Sequence, residues 1–178
     1  MFNRNFKYRI NLASIVLSST VFAVDYYDVS QAQKLLILDA DEFLKKDIKL
    51  TDDQMAKIKT LAGITQRNSQ PNIWEAKKKG KLIGYFFKDE VVGKHEFITY
   101  AVATNLDGVV TGIEIMSYRE THGGEIRNES WRKNFRGKKL ADPFKLDIDV
   151  PNITGATLSS RNVLDGVKRI LALQSLIK

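Results

Sequence analysis

Two short stretches of this 178-residue chain hold most of the groups that could do chemistry. The first is Thr154-Gly155-Ala156-Thr157-Leu158-Ser159-Ser160, directly ahead of a segment with helical spacing. Small residues let a ligand approach the backbone, and Gly155 reaches dihedral angles closed to other residues. The unpaired N–H groups that open a helix favour an anion such as phosphate. The hydroxyls of Thr154, Thr157 and Ser159 add donors. Read from its residues alone, such a stretch is equally a plain helix cap. The second stretch is Tyr118-Arg119-Glu120-Thr121-His122-Gly123-Gly124-Glu125-Ile126-Arg127, at the end of a strand pattern. Gly123-Gly124 marks a tight turn, and loops carried on a rigid sheet are where binding groups concentrate. His122 has the chemistry of a general base but no identifiable partner. Glu120 and Glu125 are a carboxylate pair whose spacing fixes no geometry. Trp131 and Phe135 read as core aromatics.

The elements that must position these stretches follow from periodicity. Val163, Val167, Ile170 and Leu171 share one helical face with Leu164 beside them, and Ser159 or Ser160 is available as N-cap. Ile73–Ala76, Leu82–Phe87, Phe97–Ala103 and Val109–Tyr118 are rich in β-branched and aromatic residues and predict strands. Asp107-Gly108 is a direct hairpin signal, and Lys77-Lys78-Lys79 before Gly80 reads as another turn. In the last run Ile113 and Ile115 alternate with Gly112, Glu114 and Met116, which predicts one buried face. Upstream, the spacing predicts a helix over 30–44. A second helix follows, with a Thr51…Gln54 capping box, acids at its positive end and Gly63 as its stop. Helices, then strands, then a closing helix predict an α+β domain, an antiparallel sheet flanked by helices.

Composition narrows the chemistry further. There is no Cys, so disulfides, thiolate metal sites and cysteine nucleophiles are excluded, and His95 and His122 are the only histidines. The formal charge of +7 suggests at first sight a polyanion binder. Three of the basic residues, Arg4, Lys7 and Arg9, open the chain ahead of the uncharged Ile10–Phe22, and Val21-Phe22-Ala23 supplies small residues at a possible cut. This pattern predicts a signal peptide over 1–23 and a periplasmic or otherwise extracytoplasmic protein; the alternative is an uncleaved N-terminal membrane anchor. Setting those three aside from 28 leaves an excess of four over the 21 acids. The densest basic run, Arg127 to Lys139, is interleaved with Glu125 and Glu129 and reads as a solvated face, with a phosphate-handling surface as the rival. No nucleic-acid partner is expected of an exported chain.

Taken together, the two stretches are far more specific than either alone. Thr154-Gly155-Ala156-Thr157 followed by Ser159, with Glu120-Thr121-His122-Gly123 upstream and Trp131, Phe135, Gly137 and Lys138 between, resembles the FMN-binding domain family. That family occurs in the C subunit of the sodium-translocating NADH:quinone reductase and the G subunit of the Rnf complex. The resemblance spans about Ile73 to Leu173. It implies an FMN-binding domain over 73–178 and FMN as cofactor, preceded by the segment over 24–72 that reads as helical from its spacing. It also implies a flavin transferase that moves FMN from FAD onto Thr157 through a phosphodiester. The implied cofactor-binding residues are Thr154, Gly155, Ala156, Thr157, Leu158, Ser159, Glu120, Thr121, His122 and Gly123. One departure stands out: the usual Asp three residues before the signature is Pro151 here, and the nearest upstream acid is Asp149. The implied function is an electron carrier served by redox partner proteins or membrane electron-transfer components, with no catalytic residue of its own. The alternatives are a non-redox FMN- or phosphate-ligand sensor or accessory module and a flavin-dependent reductase. The reductase reading lacks a nicotinamide fingerprint.

Overall fold

The computed structural model describes residues 24–177, and the expected signal peptide, 1–23, lies outside them. The strands are β1 (Val24–Asp25), β2 (Glu42–Lys45), β3 (Asn72–Lys78), β4 (Lys81–Val92), β5 (Phe97–Asn105) and β6 (Val110–Tyr118). They form one antiparallel sheet in the order β1-β6-β5-β4-β3-β2. The β3–β6 meander follows the strand patterns, and its turns fall where they were expected. Lys79 and Gly80, at φ 49 and 75, reverse the chain between β3 and β4. Asp107-Gly108 does so between β5 and β6. The stretch 24–72 contributes more than helices, because β1 and β2 add strands at the two edges of the sheet.

Both faces of the sheet are covered, and alternation along the strands sorts the residues between them. Tyr85, Phe87, Ile98, Tyr100, Val102, Ile113 and Ile115 pack on one side with Ile58 of α2 (Asp52–Ala62) and Val163, Leu164, Val167, Ile170 and Leu171 of α4 (Thr157–Ile177). Each fully buried side chain of this size contributes about 1.5–3 kcal/mol. Phe86, Ala101 and Met116 point the other way, onto Ala32 and Leu36 of α1 (Val29–Leu36). The expectation of one buried face on β6 is therefore corrected. Glu114 and Met116 are also buried, Met116 under the layer that includes α1 and Glu114 by pairing with Arg132.

A second correction concerns the helix expected over 30–44. The helix ends at Leu36, and Glu42–Lys45 instead pairs with β3 from Glu42↔Lys77 to Lys45↔Trp74. Asp28 caps α1 through a capping box with Gln31. The leucines that prolonged the apparent period do not share a core, as Leu38 is 86% exposed. By contrast, the Thr51–Gln54 box and Gly63, at φ 78, bound α2 as expected. Among the described residues, no helix is long and apolar enough to cross a membrane.

Candidate functional site

The helix that carries the first motif begins earlier than its serines suggested. α4 starts at Thr157, and Ser160 N–H already donates to Ala156 C=O at 2.9 Å. Ser159 and Ser160 are therefore buried inside the first turn and are not N-caps. The free N–H groups of that turn belong to Thr157, Leu158 and Ser159, the groups that an α-helix leaves without intrahelical partners. Thr157 and Leu158 are exposed, Leu158 by 52%.

The second motif meets this helix start directly. Gly123 is buried with φ 85, and a Cβ added there would lie 2.0 Å from Ala156 Cβ. Only glycine supplies both that conformation and that closeness. Tyr118, the last residue of β6, ties the two motifs from below. Its hydroxyl donates to the His122 carbonyl and lies 3.5 Å from Ser159 Oγ. Burial raises the pKa of that phenol.

A cleft of about 300 Å³ opens where the motifs meet. It is lined by Glu120, Thr121 and His122 from one motif and by Gly155, Ala156, Thr157, Leu158 and Ser159 from the other. Of the ten expected residues, Gly123 is instead buried against Ala156, and Thr154 is exposed on the preceding turn without lining the cleft. The sequence reading missed Lys94 and His95, which enter from the β4–β5 loop. Nothing local to them signals a site, because the loop is placed by contacts distant in sequence. The Glu120 carboxylate accepts the N–H groups of His95 (2.6 Å) and Glu96 (3.0 Å). On the other side, Asn162 of α4 donates to Val92 C=O at 2.6 Å. Burial works against the charge of Glu120, but the N–H groups of Glu96, His95 and Lys94 outweigh it and lower the pKa. Glu120 thus holds the loop instead of offering a free acid to the cleft.

The approach to the first motif is braced in a way that accommodates Pro151. Trp131 Nε1 donates to Pro151 C=O at 2.8 Å, while the buried Trp131 and Phe135 pack edge to face. Asp149 accepts from Lys138 Nζ at 2.8 Å and from Lys145 N–H at 2.9 Å. The Lys138 bond leads the forces that lower the pKa of this aspartate. Lys138 and Arg132 are only 16% and 15% exposed, and Arg136 pairs with Glu129. Half of the basic run therefore neutralises acids of this chain, so the reading of it as a solvated face holds only in part. A larger hollow, about 680 Å³, lies between the loop after α2, β4 and α4 around Asp89, Asp165 and Arg169. Neither motif lines it, so the smaller cleft is the one built by the chemistry-bearing residues.

Comparison with known proteins bears directly on that cleft. Residues 93–172, which include the 93–96 loop and both motifs, match the model of the FMN-binding domain. This segment belongs to the FMN-binding domain family. FMN is the cofactor of such a domain. The G subunit of the ion-translocating oxidoreductase complex of Stutzerimonas stutzeri is 28% identical over 58% of this chain and 50% of that protein. The C subunit of the Na(+)-translocating NADH-quinone reductase of Yersinia pestis is 31% identical over 73% of this chain and 60% of its own length. The chain thus spans about half the length of the first of these relatives. The crystal structure of Shewanella oneidensis NqrC superposes with a TM-score of 0.49 at 16% identity, covering 83% of this chain and 73% of that one.

The FMN-binding domain's own residues fit the cofactor's phosphate end. Thr157, Leu158 and Ser159, whose N–H groups have no helical partners, line one cleft together with Lys94, a set of residues suited to an anion. The fully buried Asn152 Oδ1, beside Thr157, has no hydrogen-bond partner among the described residues. The cleft volume lies at the lower end of the range for small-molecule sites.

Proposed function

We propose that this protein is an exported FMN-carrying electron-transfer protein in which the FMN phosphate is esterified to Thr157. The observation that carries the reading is the meeting of the two motifs in one cleft, with the exposed Thr157 at the first position of a 21-residue helix. A phosphodiester there keeps its negative charge at the positive end of the helix, a position favoured by about 0.3–1 kcal/mol. When bound, the flavin accepts and releases electrons one or two at a time.

The chain's own residues have simpler tasks. Thr157 anchors the phosphate, and the free N–H groups of Leu158 and Ser159 face it. Glu120 keeps Lys94 and His95 at the cleft by fixing their loop. Leu158 offers an apolar surface at the rim. A covalent link suits an exported protein, which has no cytosolic pool of FMN to refill a weak site.

Maturation requires a flavin transferase, and the electrons pass to and from protein or membrane-bound redox partners. The relatives named as subunits of ion-translocating and NADH-quinone reductase complexes support that class of partner. Export rests on the basic opening and the short apolar run of residues 1–23. The attachment is tested by co-expression with a flavin transferase followed by denaturing electrophoresis. The wild-type band is expected to keep yellow-green flavin fluorescence and Thr157→Ala to be dark. A dark wild-type band sinks covalent attachment.

A further inference from the structure

The residue in contact with the Thr157 hydroxyl is one that the sequence motifs did not mark. Asn152 Nδ2 donates to Thr157 Oγ1 at 3.1 Å. Its backbone is fixed independently of that side chain. Asn152 N–H donates to Asp147 Oδ1 at 2.9 Å, and the preceding carbonyl, of Pro151, accepts from Trp131 Nε1 at 2.8 Å. Asp147 N–H in turn donates to Val150 C=O at 2.8 Å, closing the loop below. The other amide atom, Oδ1, is fully buried without a partner among the described residues, which costs free energy.

We propose that Asn152 is the positioning residue for flavin attachment, holding Thr157 Oγ1 by donating to it; this rests on the attachment reading above. In the transfer, Oγ1 supplies the electron pair for a new bond to the flavin-side phosphorus of FAD. The bond from that phosphorus to the bridging oxygen breaks, and AMP leaves with that oxygen and its electron pair. The hydroxyl proton passes to the leaving phosphate or to solvent, and no atom changes oxidation state. The hydroxyl loses its proton for good in this step, so afterwards Oγ1 can only accept. A donor such as the Asn152 amide keeps its partner before and after esterification. An acceptor at the same place loses its partner when the ester forms, and a carboxylate there also repels the incoming phosphate. With Pro151 where an acid is usual, a neutral donor two residues before Thr154 occupies the position that touches the nucleophile.

The test uses the full chain expressed without transferase, then incubated with purified transferase and FAD while its mass is followed. Wild type is expected to gain one FMN less one water. Asn152→Ala and the near-isosteric Asn152→Leu are expected to react about tenfold more slowly at saturation, the size of one hydrogen bond, with unchanged KM and no loss of melting temperature. Asn152→Asp separates positioning from structure. Its rate relative to wild type is expected to be low at neutral pH and to recover on acidification, when the protonated carboxyl becomes a donor; Asp147 is the acid bonded to this residue. Labelling of Asn152→Leu at the wild-type rate, or Asn152→Asp faster than wild type at neutral pH, overturns the role of Asn152 alone. A wild type that gains no mass overturns the attachment reading and this inference with it.

Discussion

At the scale of single residues, the site depends on close approach more than on reactive side chains. Gly123 has no chemistry of its own, yet its missing Cβ lets the two motifs touch. Gly123→Ala is expected to cost about 1–3 kcal/mol through overpacking, with the strain of a left-handed conformation added, and to lower flavin incorporation severalfold. Denaturant unfolding and flavin absorbance per protein measure the two effects. Glu120 is the clearest case of a residue whose type was legible while its role was not. A carboxylate beside a glycine turn reads as a possible acid–base group, but its partners, His95 and Glu96, are some 25 positions upstream and carry no local signal. Its pKa is lowered in the folded state, so its contribution is complete at neutral pH, above the ordinary carboxylate range, and begins to decline as pH enters that range. That contribution is lost as pH falls through the lowered value. The melting temperature of Glu120→Gln is therefore expected to lie below wild type at pH 7 and to converge with it under acidic conditions. A gap that widened on acidification would contradict this assignment.

At the scale of elements, placement of the α4 N-terminus decides whether a helix start becomes a site. Gly166 sets it where the helix crosses β5, since a Cβ there would lie 2.1 Å from the Tyr100 hydroxyl. That hydroxyl has no room to yield. Tyr100 is fully buried and donates to Asp89 at 2.7 Å, and Asp89 also pairs with Arg169 of α4. Burial drives the Tyr100 phenol well above its ordinary pKa, so it stays a donor across the working range of pH. Gly166→Ala is expected to destabilise by about 1–3 kcal/mol and to shift the start of the helix. Urea unfolding together with the flavin-incorporation assay shows whether both effects occur.

The sheet was legible because period-two runs of β-branched and aromatic residues and one Asp-Gly turn are local signals. The helix expected over 30–44 was over-read for a physical reason. Leu35, Leu36, Leu38 and Phe43 keep an apolar spacing, but pairing of Glu42–Lys45 with β3 competes successfully for its last three residues. Ser159 and Ser160 are good caps by type, but the chain enters the helix at Thr157 and buries them.

At the scale of the whole molecule, the excess of positive charge does not require a polyanion. Three of the basic residues lie in the expected export segment, and Arg132, Arg136 and Lys138 neutralise carboxylates of the same chain. Export predicts that the protein expressed with its first 23 residues is recovered outside the cytoplasm. Cell fractionation with a cytoplasmic marker checks this, and retention with the marker would contradict it. The central claim, that Thr157 carries FMN, is tested most directly by the intact mass of the protein made together with a flavin transferase. The expected result is a gain of one FMN less one water, carried on the peptide that contains Thr157 and absent from Thr157→Ala. A wild-type protein of unmodified mass, or an FMN on a different residue, would contradict it.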